Sequence, residues 1–527
     1  MNPRVISQSV ATNPLAAAFI SGDAPAGWYE SIPGTPSEWR TRIDGVRADF
    51  PADWLDRLSP AIEATGKAKE RLAASANGRG VVVTTGQQPG LFGGPIYTIS
   101  KALSALAMAD ALQDSAGVPV APVFWAATDD TDFREASTTV VSGPGGAQLL
   151  RIDHAEPLGR PMASMPLGDV SDQLDALVRS AGSTIDPKPL ELLERFYTNK
   201  ETIGSAYVGF LRALFAPLGI AVIDASHAAT RSAAGPILQK ALRHAAEIAA
   251  NVAEQNRAIE AAGFVPQVQD VPGLSLVFST VSGSRRRIPI KAAGKQSESA
   301  DMGPNVLLRP VVERAILPTA AYIGGPAEIA YFAQLGPIAD TIGARRPLIV
   351  PRWSATIMEP HVARILEKLH LDPDDLRDPH EAESRVARER VPREVLERLA
   401  STRASIDQKL DELSEAVATE GGLVSAAVTG GLRANMLRRL DRFERRLLAA
   451  AKKEHAETMQ EIASARGSLY PFGKPQERAL NFVPLLARYG PGLVDDMLTE
   501  GRVHAQRLID DRSHRAREQT TAARNRA

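Results

Sequence analysis

The chain has 527 residues, more than one compact core usually holds, so two or more structural units are expected. Apolar residues make up 44% and charged residues 23%, and 61 basic against 62 acidic side chains leave a net charge of −1, which gives no general attraction to nucleic acid or an anionic membrane. Cysteine is absent, which excludes disulfides, thiolate–zinc sites and a nucleophilic thiol of the chain's own, and fits a reducing cytoplasm.

Polar residues and prolines interrupt the N-terminal stretch early, so no secretory signal is expected there. No run of about 18 apolar residues occurs, so no spanning helix is expected. Pro25, Gly27, Pro33, Gly34 and Pro36 punctuate the opening, and helical patterning follows from about Trp54 to Leu72. Val81 to Val83 are β-branched and lie between Gly80 and Gly86, the pattern of a buried strand ending in a loop. Pro95 suits a helix's first turn, and Ile99, Leu103, Leu106 and Ala109 then recur at helical spacing, predicting one apolar face. A second strand is predicted from Val118 to about Thr128. Together these make a βαβ unit, which favours parallel pairing, and ligands of such sheets bind at the carboxyl ends of the strands. Both ends here carry unusual polar sequences, TGQQ and DDTD.

Further on, Gly219 to Ser226 predicts a strand and about Pro236 to Ala262 a helical segment. Val271 to Ile290 predicts two strands joined at Gly283-Ser284, and the polar residues 291–305 a loop. Pro347 to Arg352 predicts a short buried strand. From about Pro379 the composition shifts to Arg, Glu, Ala and Leu. Val395, Leu399, Ile406, Leu410, Leu413 and Val417, and after Gly421-Gly422 the series Leu432, Met436, Leu440, Phe443 and Leu447, each predict a helix with one apolar seam. The glycines between them predict a hairpin, hence an antiparallel coiled coil, with each arm roughly 35 Å or longer at about 1.5 Å per residue. Such an arm commonly contacts a second subunit, so a homodimer is expected.

Four constellations carry candidate chemistry. Thr85-Gly86-Gln87-Gln88 with Gly93-Gly94, leading to Lys101, combines flexible backbone with a helix start that can receive a phosphate or carboxylate; the alternative is a plain strand-to-helix turn. Asp129-Asp130-Thr131-Asp132 with Glu135 places four carboxylates within seven residues. Such a group can hold Mg2+ or an ammonium, or supply a general base; it can equally be a capped helix start. Arg309, Tyr322, Gly324-Gly325-Pro326 and Glu328 repeat the glycine-before-helix pattern, in which Glu328 can also simply favour the helix dipole. Gly473 to Arg478 is a polar loop that can serve as an inter-domain strut. The nine histidines show no HxH or HExxH spacing, arguing against a histidine metal site. Arg285-Arg286-Arg287 and the arginine-rich tail lack aromatic interleaving and read as solvated surface.

Taken together, TGQQPGLFGGPIYTISKA, PVFWAATDDTDFREA, LRPVVERAILPTAAYIGGPAEIAYF, Val350 to Arg352, GKPQERALNF and the opening NPLAAAFISGD resemble the bacillithiol biosynthesis cysteine-adding enzyme family, in order and over most of the chain. The resemblance implies an α/β fold with a Rossmann-like parallel-sheet core, an inserted region and a C-terminal α-helical antiparallel coiled coil. It divides the chain into an N-terminal helical segment (1–75), the core (76–160 and 300–365), further strands with the insertion (161–299), the hairpin (366–465) and a C-terminal helical segment (466–527).

It also implies a cytoplasmic ligase joining L-cysteine to the amine of glucosaminyl-malate, the last step of bacillithiol formation, with ATP and Mg2+ activating the carboxyl as an adenylate or a phosphate. Asp130, Asp132 and Glu135 are the candidate catalytic residues. Candidate substrate- or nucleotide-binding residues are Thr85, Gly86, Gln87, Gln88, Gly93, Gly94, Lys101, Trp125, Arg309, Tyr322, Gly324, Gly325, Glu328 and Arg352. One departure stands out: the family usually has Glu-Asp-His-Asp after the second strand, and this chain has Thr131 in the histidine's place. Threonine keeps the hydrogen bonding and loses the acid–base chemistry, which leaves open a related ATP-dependent ligase or nucleotidyltransferase with another amine substrate, or a non-catalytic coiled-coil binding protein.

Overall fold

The computed structural model describes residues 2–9, 13–153, 159–295, 301–378, 380–419 and 424–510. Gly421-Gly422 and most of the arginine-rich tail, from residue 511 on, lie outside them. The chain forms two compact units: Met1–Val141 with Leu149–Ile357 and Glu477–Ala527, and Ser142–Gln148 with Met358–Gln476. The C-terminal segment expected from residue 466 thus divides between them.

The first unit is built on a five-stranded sheet. Its strands are β1 (Val81–Gln87), β2 (Val120–Ala126), β3 (Ala221–Asp224), β7 (Thr319–Gly324) and β8 (Ile349–Pro351), in the spatial order β8-β7-β1-β2-β3. Every pairing is parallel, with Val81 opposite Val120, Val123 opposite Ala221, Tyr322 opposite Thr84 and Gly324 opposite Pro351. After β1 the chain builds outward through β2 and β3, then returns to the other side of β1 for β7 and β8. The carboxyl ends of β1 and β7 therefore flank a topological switch point, where such sheets bind ligands. The Val81–Val83 run is fully buried, as continuous apolar strands of parallel sheets are.

Helix α1 (Ile96–Ala116) returns the chain from β1 to β2. It was expected to bury one face. Instead Thr98, Ser100, Lys101 and Ser104 are buried along with Ile99, Leu103 and Leu106, because the sheet covers one side and the helix Pro491–Asp510 the other. Helix α3 (Ala228–Arg243) follows β3 and is separate from Ala245–Ala261, a break at His244 within what patterning presents as one helical stretch.

An antiparallel three-stranded sheet of β4 (Leu274–Val281), β5 (Ser284–Pro289) and β6 (Met302–Pro304) is inserted before β7. Its β4–β5 turn lies at Ser282-Gly283, one residue before the expected position, with both residues at positive φ as a tight hairpin requires. Two further helices matter for the site: α4 (Arg309–Ile316) before β7 and α5 (Pro326–Phe332) after it.

The second unit carries the expected hairpin as α6 (Arg393–Thr419) and α7 (Ala426–Glu454). Arg403 pairs with Asp441, Arg433 with Asp407, and Ser414 with Thr429, so the arms run antiparallel. Along the 27 residues of α6 nothing is buried. Leu413, Leu432, Met436 and Phe443 remain 42–53% exposed. None of the described helices is long and apolar enough to cross a membrane.

Candidate active site

A cleft of about 650 Å3 opens at the carboxyl ends of β1, β2 and β7. The first strand delivers Gly86, Gln87 and Gln88, the second Asp129 to Thr131 with Glu135, and the third Gly325 and Glu328. Their convergence follows from parallel pairing, which brings all three strand ends to one edge. Gly86 is a steric requirement against backbone, and Gly324 leaves room for the Ile349 side chain. A Cβ on Gly86 would lie 2.9 Å from the Trp125 carbonyl oxygen, and one on Gly324 would lie 2.4 Å from Ile349 Cδ1.

The floor is a buried charge network. The Lys101 ammonium lies 2.6 Å from Glu328, 2.8 Å from the Gly86 carbonyl oxygen and 3.0 Å from Gln87 Oε1, which occupies its three protons. Burial lowers the Lys101 pKa, with Glu328 opposing the shift. Burial alone would raise Glu328, but Lys101 and Arg309 outweigh it and hold the carboxyl below its ordinary value. Glu328 also accepts the Gly325 amide at 2.8 Å and the Tyr322 hydroxyl. Arg309 donates to the Tyr322 and Tyr331 hydroxyls at 3.1 and 2.8 Å and pairs with Glu313 at 2.8 Å. Burial nevertheless pushes Glu313 up to about 7.

One wall carries the candidate acid–base groups. Glu135 accepts from Gln88 Nε2 at 2.5 Å and from the Tyr97 hydroxyl at 3.1 Å, and Gln87 Nε2 donates to that hydroxyl at 3.1 Å. A continuous chain of hydrogen bonds thus joins Glu135 through Tyr97 and Gln87 to Lys101. Burial raises the Glu135 pKa, Asp132 and Asp130 add to the rise, and the Tyr97 hydrogen bond opposes it. Asp130 is also raised, first by burial and then by Asp129, although it accepts the Asp132 amide at 2.9 Å. Asp132 caps the four-residue helix α2 (Phe133–Ala136) through the Glu135 amide and does not line the cleft. Among the described residues no group of three or more carboxylates or histidines is placed to hold a metal ion. The carboxylate cluster on its own is therefore not a metal cage.

Other candidate residues divide sharply. Thr85 is buried and donates to the Ile323 carbonyl oxygen, tying β1 to β7. Gly93 gives its amide to the Tyr197 hydroxyl at 2.9 Å and packs against Phe210 and Phe482, and neither it nor Gly94 lines the cleft. Trp125, 3% exposed, forms part of the wall. Tyr322 lies beneath the floor. Arg352 reaches the cleft edge but is locked in a bidentate pair with Glu477, at 2.5 and 2.8 Å. That pair gives GKPQERALNF its place: Glu477 fixes Arg352, Arg478 lines the cleft, and Asn481 donates to the Leu91 and Phe92 carbonyl oxygens.

Arg285 and Arg287 correct the sequence reading of a solvated run. Arg287 lines the cleft, and Arg285 pairs with Asp129 at 2.8 Å with its side chain 10% exposed. Only Arg286 is on the surface. Tyr97 carries no role in the sequence reading, Arg287 is read there as solvated surface, and Arg478 as part of a polar loop that can serve as a strut. Tyr97 and Arg478 do sit inside the segments that carry the family resemblance.

The family model for the N-terminal Rossmann-like domain of bacillithiol biosynthesis BshC matches residues 5–353, and that for its C-terminal coiled-coil domain matches residues 355–508. The chain belongs to the bacillithiol biosynthesis BshC family. Relatives named "Putative cysteine ligase BshC" include one from Solibacter usitatus, 30% identical over 84% of this chain and 86% of its own length. Another, from Koribacter versatilis, is 30% identical over 84% and 87%. A third, from Symbiobacterium thermophilum, is 29% identical over 94% and 97%. Their naming as ligases agrees with the class implied by the resemblance, and the two BshC domain types agree with the sheet and the hairpin described above.

Proposed function

We propose that this BshC-family chain is a carbon–nitrogen ligase that joins the carboxyl group of L-cysteine to the amine of glucosaminyl-malate, completing bacillithiol in the cytoplasm. The observation that carries the reading is the single cleft in which the TGQQ, DDTD, Gly-Gly-Pro-x-Glu and QER segments meet.

A carboxylate does not expel its own oxygen, so condensation needs an activator, and ATP with Mg2+ is proposed for that role. ATP, when bound, converts that oxygen into a phosphate or nucleotide leaving group. The cleft suits anionic ligands: Arg478 is exposed there and makes no ion pair with the described residues, and Arg287 also lines it. Lys101 has no proton to spare, so its part is to hold Gln87 and Glu328 in place. Asp130 or Glu135 takes the proton that the amine loses as the amide bond forms. Their raised pKa values bring them closer to the range in which a carboxylate is an effective base. Any Mg2+ would arrive with the nucleotide phosphates, which would supply ligands that the described residues do not group together.

The exposed apolar residues of α6 and α7 support a homodimer assembled through the hairpin. A second reading has one specific support. Thr131 lines the cleft where the family usually has histidine, which favours a ligase acting on a related amine or acid. ATP turnover in the presence of a panel of amines separates the two. Cysteine-dependent turnover greatest with glucosaminyl-malate upholds the first, and turnover with another amine alone upholds the second.

A further inference from the structure

A second cavity, of about 370 Å3, lies beside the cleft at the ends of β2 and β3. The two share Trp125, Asp129, Arg285 and Pro304 as a common wall. That wall is firmly built. Arg285 donates to Asp129 Oδ2 at 2.8 Å, to the Asp129 carbonyl oxygen at 2.7 Å and to the Pro304 carbonyl oxygen at 2.6 Å, and its guanidinium lies 4.3 Å from the centre of the Phe278 ring.

The chemistry of the chamber is neutral. Both of its guanidinium groups are already matched, Arg285 by Asp129 and Arg231 by Asp301 at 3.2 Å. What remains is a set of hydroxyls above an apolar base of Trp125, Ala225, Ala234 and Val312. Ser164 and Thr230 spend their hydroxyl protons on the Pro161 and Asp224 carbonyl oxygens, which leaves their oxygens as acceptors. The Trp125 indole N–H is buried, belongs to a side chain 3% exposed, and has no acceptor among the described residues. That nitrogen has no accessible surface, so Trp125 offers the chamber the apolar part of its ring and the polar contacts fall to the hydroxyls. Donors and acceptors mixed over an aromatic base match a group whose every polar atom both donates and accepts.

We infer that this chamber is a subsite for a neutral polyhydroxylated ring: the hydroxyl-bearing edge of the acceptor's hexose. The inference rests on the proposed acceptor, glucosaminyl-malate. The hexose amine and the malate carboxylates stay at the shared wall, facing Asp130 and the arginines of the cleft. The chamber thus selects the sugar and the cleft performs the condensation.

Calorimetric titration of the full-length protein with glucosaminyl-malate and, separately, with L-malate tests this. Ala234→Leu fills the apolar base and Thr280→Val removes a hydroxyl from the lining. Ala234→Leu should raise the Kd for glucosaminyl-malate roughly ten-fold or more, and Thr280→Val about two- to ten-fold, with L-malate affinity unchanged in both. Glucosaminyl-malate binding at wild-type Kd in variants that melt like the wild type overturns the subsite while leaving the ligase reading intact. Equal weakening of both ligands also overturns it. If the wild-type protein binds no glucosaminyl-malate, the acceptor assignment itself fails, and the hexose subsite with it. Should Ala234→Leu fail to fold, Thr280→Val alone decides.

Discussion

The Lys101 ammonium sits 2.6 Å from the Glu328 carboxylate, the two side chains being largely buried on the helices that follow the adjacent strands β1 and β7. Removing one partner strands the other in a medium that solvates it poorly. Lys101→Met should therefore destabilise the first unit by about 3–5 kcal/mol in denaturant titration. Adding Glu328→Gln should recover part of the loss, because no charge is then left unpaired. Strict additivity of the two changes would show that the pair is not coupled.

Asp130 and Glu135 have pKa values raised above the ordinary carboxylate range, chiefly by burial. As pH rises from that range through the raised values, the base is freed, so kcat/KM should climb across this window. Stability should move the other way. The folded state there binds more protons than the unfolded one, so unfolding free energy falls as pH rises. Asp130→Asn should abolish amide formation while the protein still folds, melting at neutral pH no lower than the wild type because no buried charge remains at that position. Full activity in that variant removes Asp130 from the mechanism.

Glu313 separates the two trends. Its carboxyl is pushed up to about 7 and does not line the cleft. Between its ordinary value and about 7, it too makes stability fall with rising pH. Glu313→Gln should flatten the stability profile across that interval without moving the rising limb of activity. A shift of the activity limb would tie Glu313 to the chemistry.

Leu432 and Phe443, 43% and 53% exposed on one arm of the hairpin, give the dimer a direct test. Light scattering at micromolar concentration should report two chains for the wild type and one for Leu432→Lys/Phe443→Lys. A wild-type monomer contradicts the proposed assembly.

The sheet was legible because Val81 to Val83 and the run into Trp125 are continuous apolar strands bounded by glycine or acidic residues, a pattern with few alternatives. The hairpin was legible for the same reason at helical period. Lys101 was legible as a site residue, but its role was not. A single lysine in an apolar helix does not reveal that its partner, Glu328, lies 227 positions later. Arg285 was lost in a run of three arginines because its partner, Asp129, precedes it by 156 residues and comes from a different sheet. Gly93 and Gly94 share a glycine-rich pattern with Gly86, yet the turn after Gly90 carries Gly93 against Phe210 and Phe482 and Gly94 against Thr98. Local sequence identifies a loop that can bind; only the packing around it decides which of its residues face the ligand.

Purified protein incubated with L-cysteine, glucosaminyl-malate and Mg-ATP, then read by mass spectrometry, should yield the cysteinyl amide together with a stoichiometric nucleotide product. AMP would mark activation as an adenylate and ADP activation as a phosphate. Properly folded protein that forms neither amide nor nucleotide product under these conditions would rule out cysteine ligation as its activity.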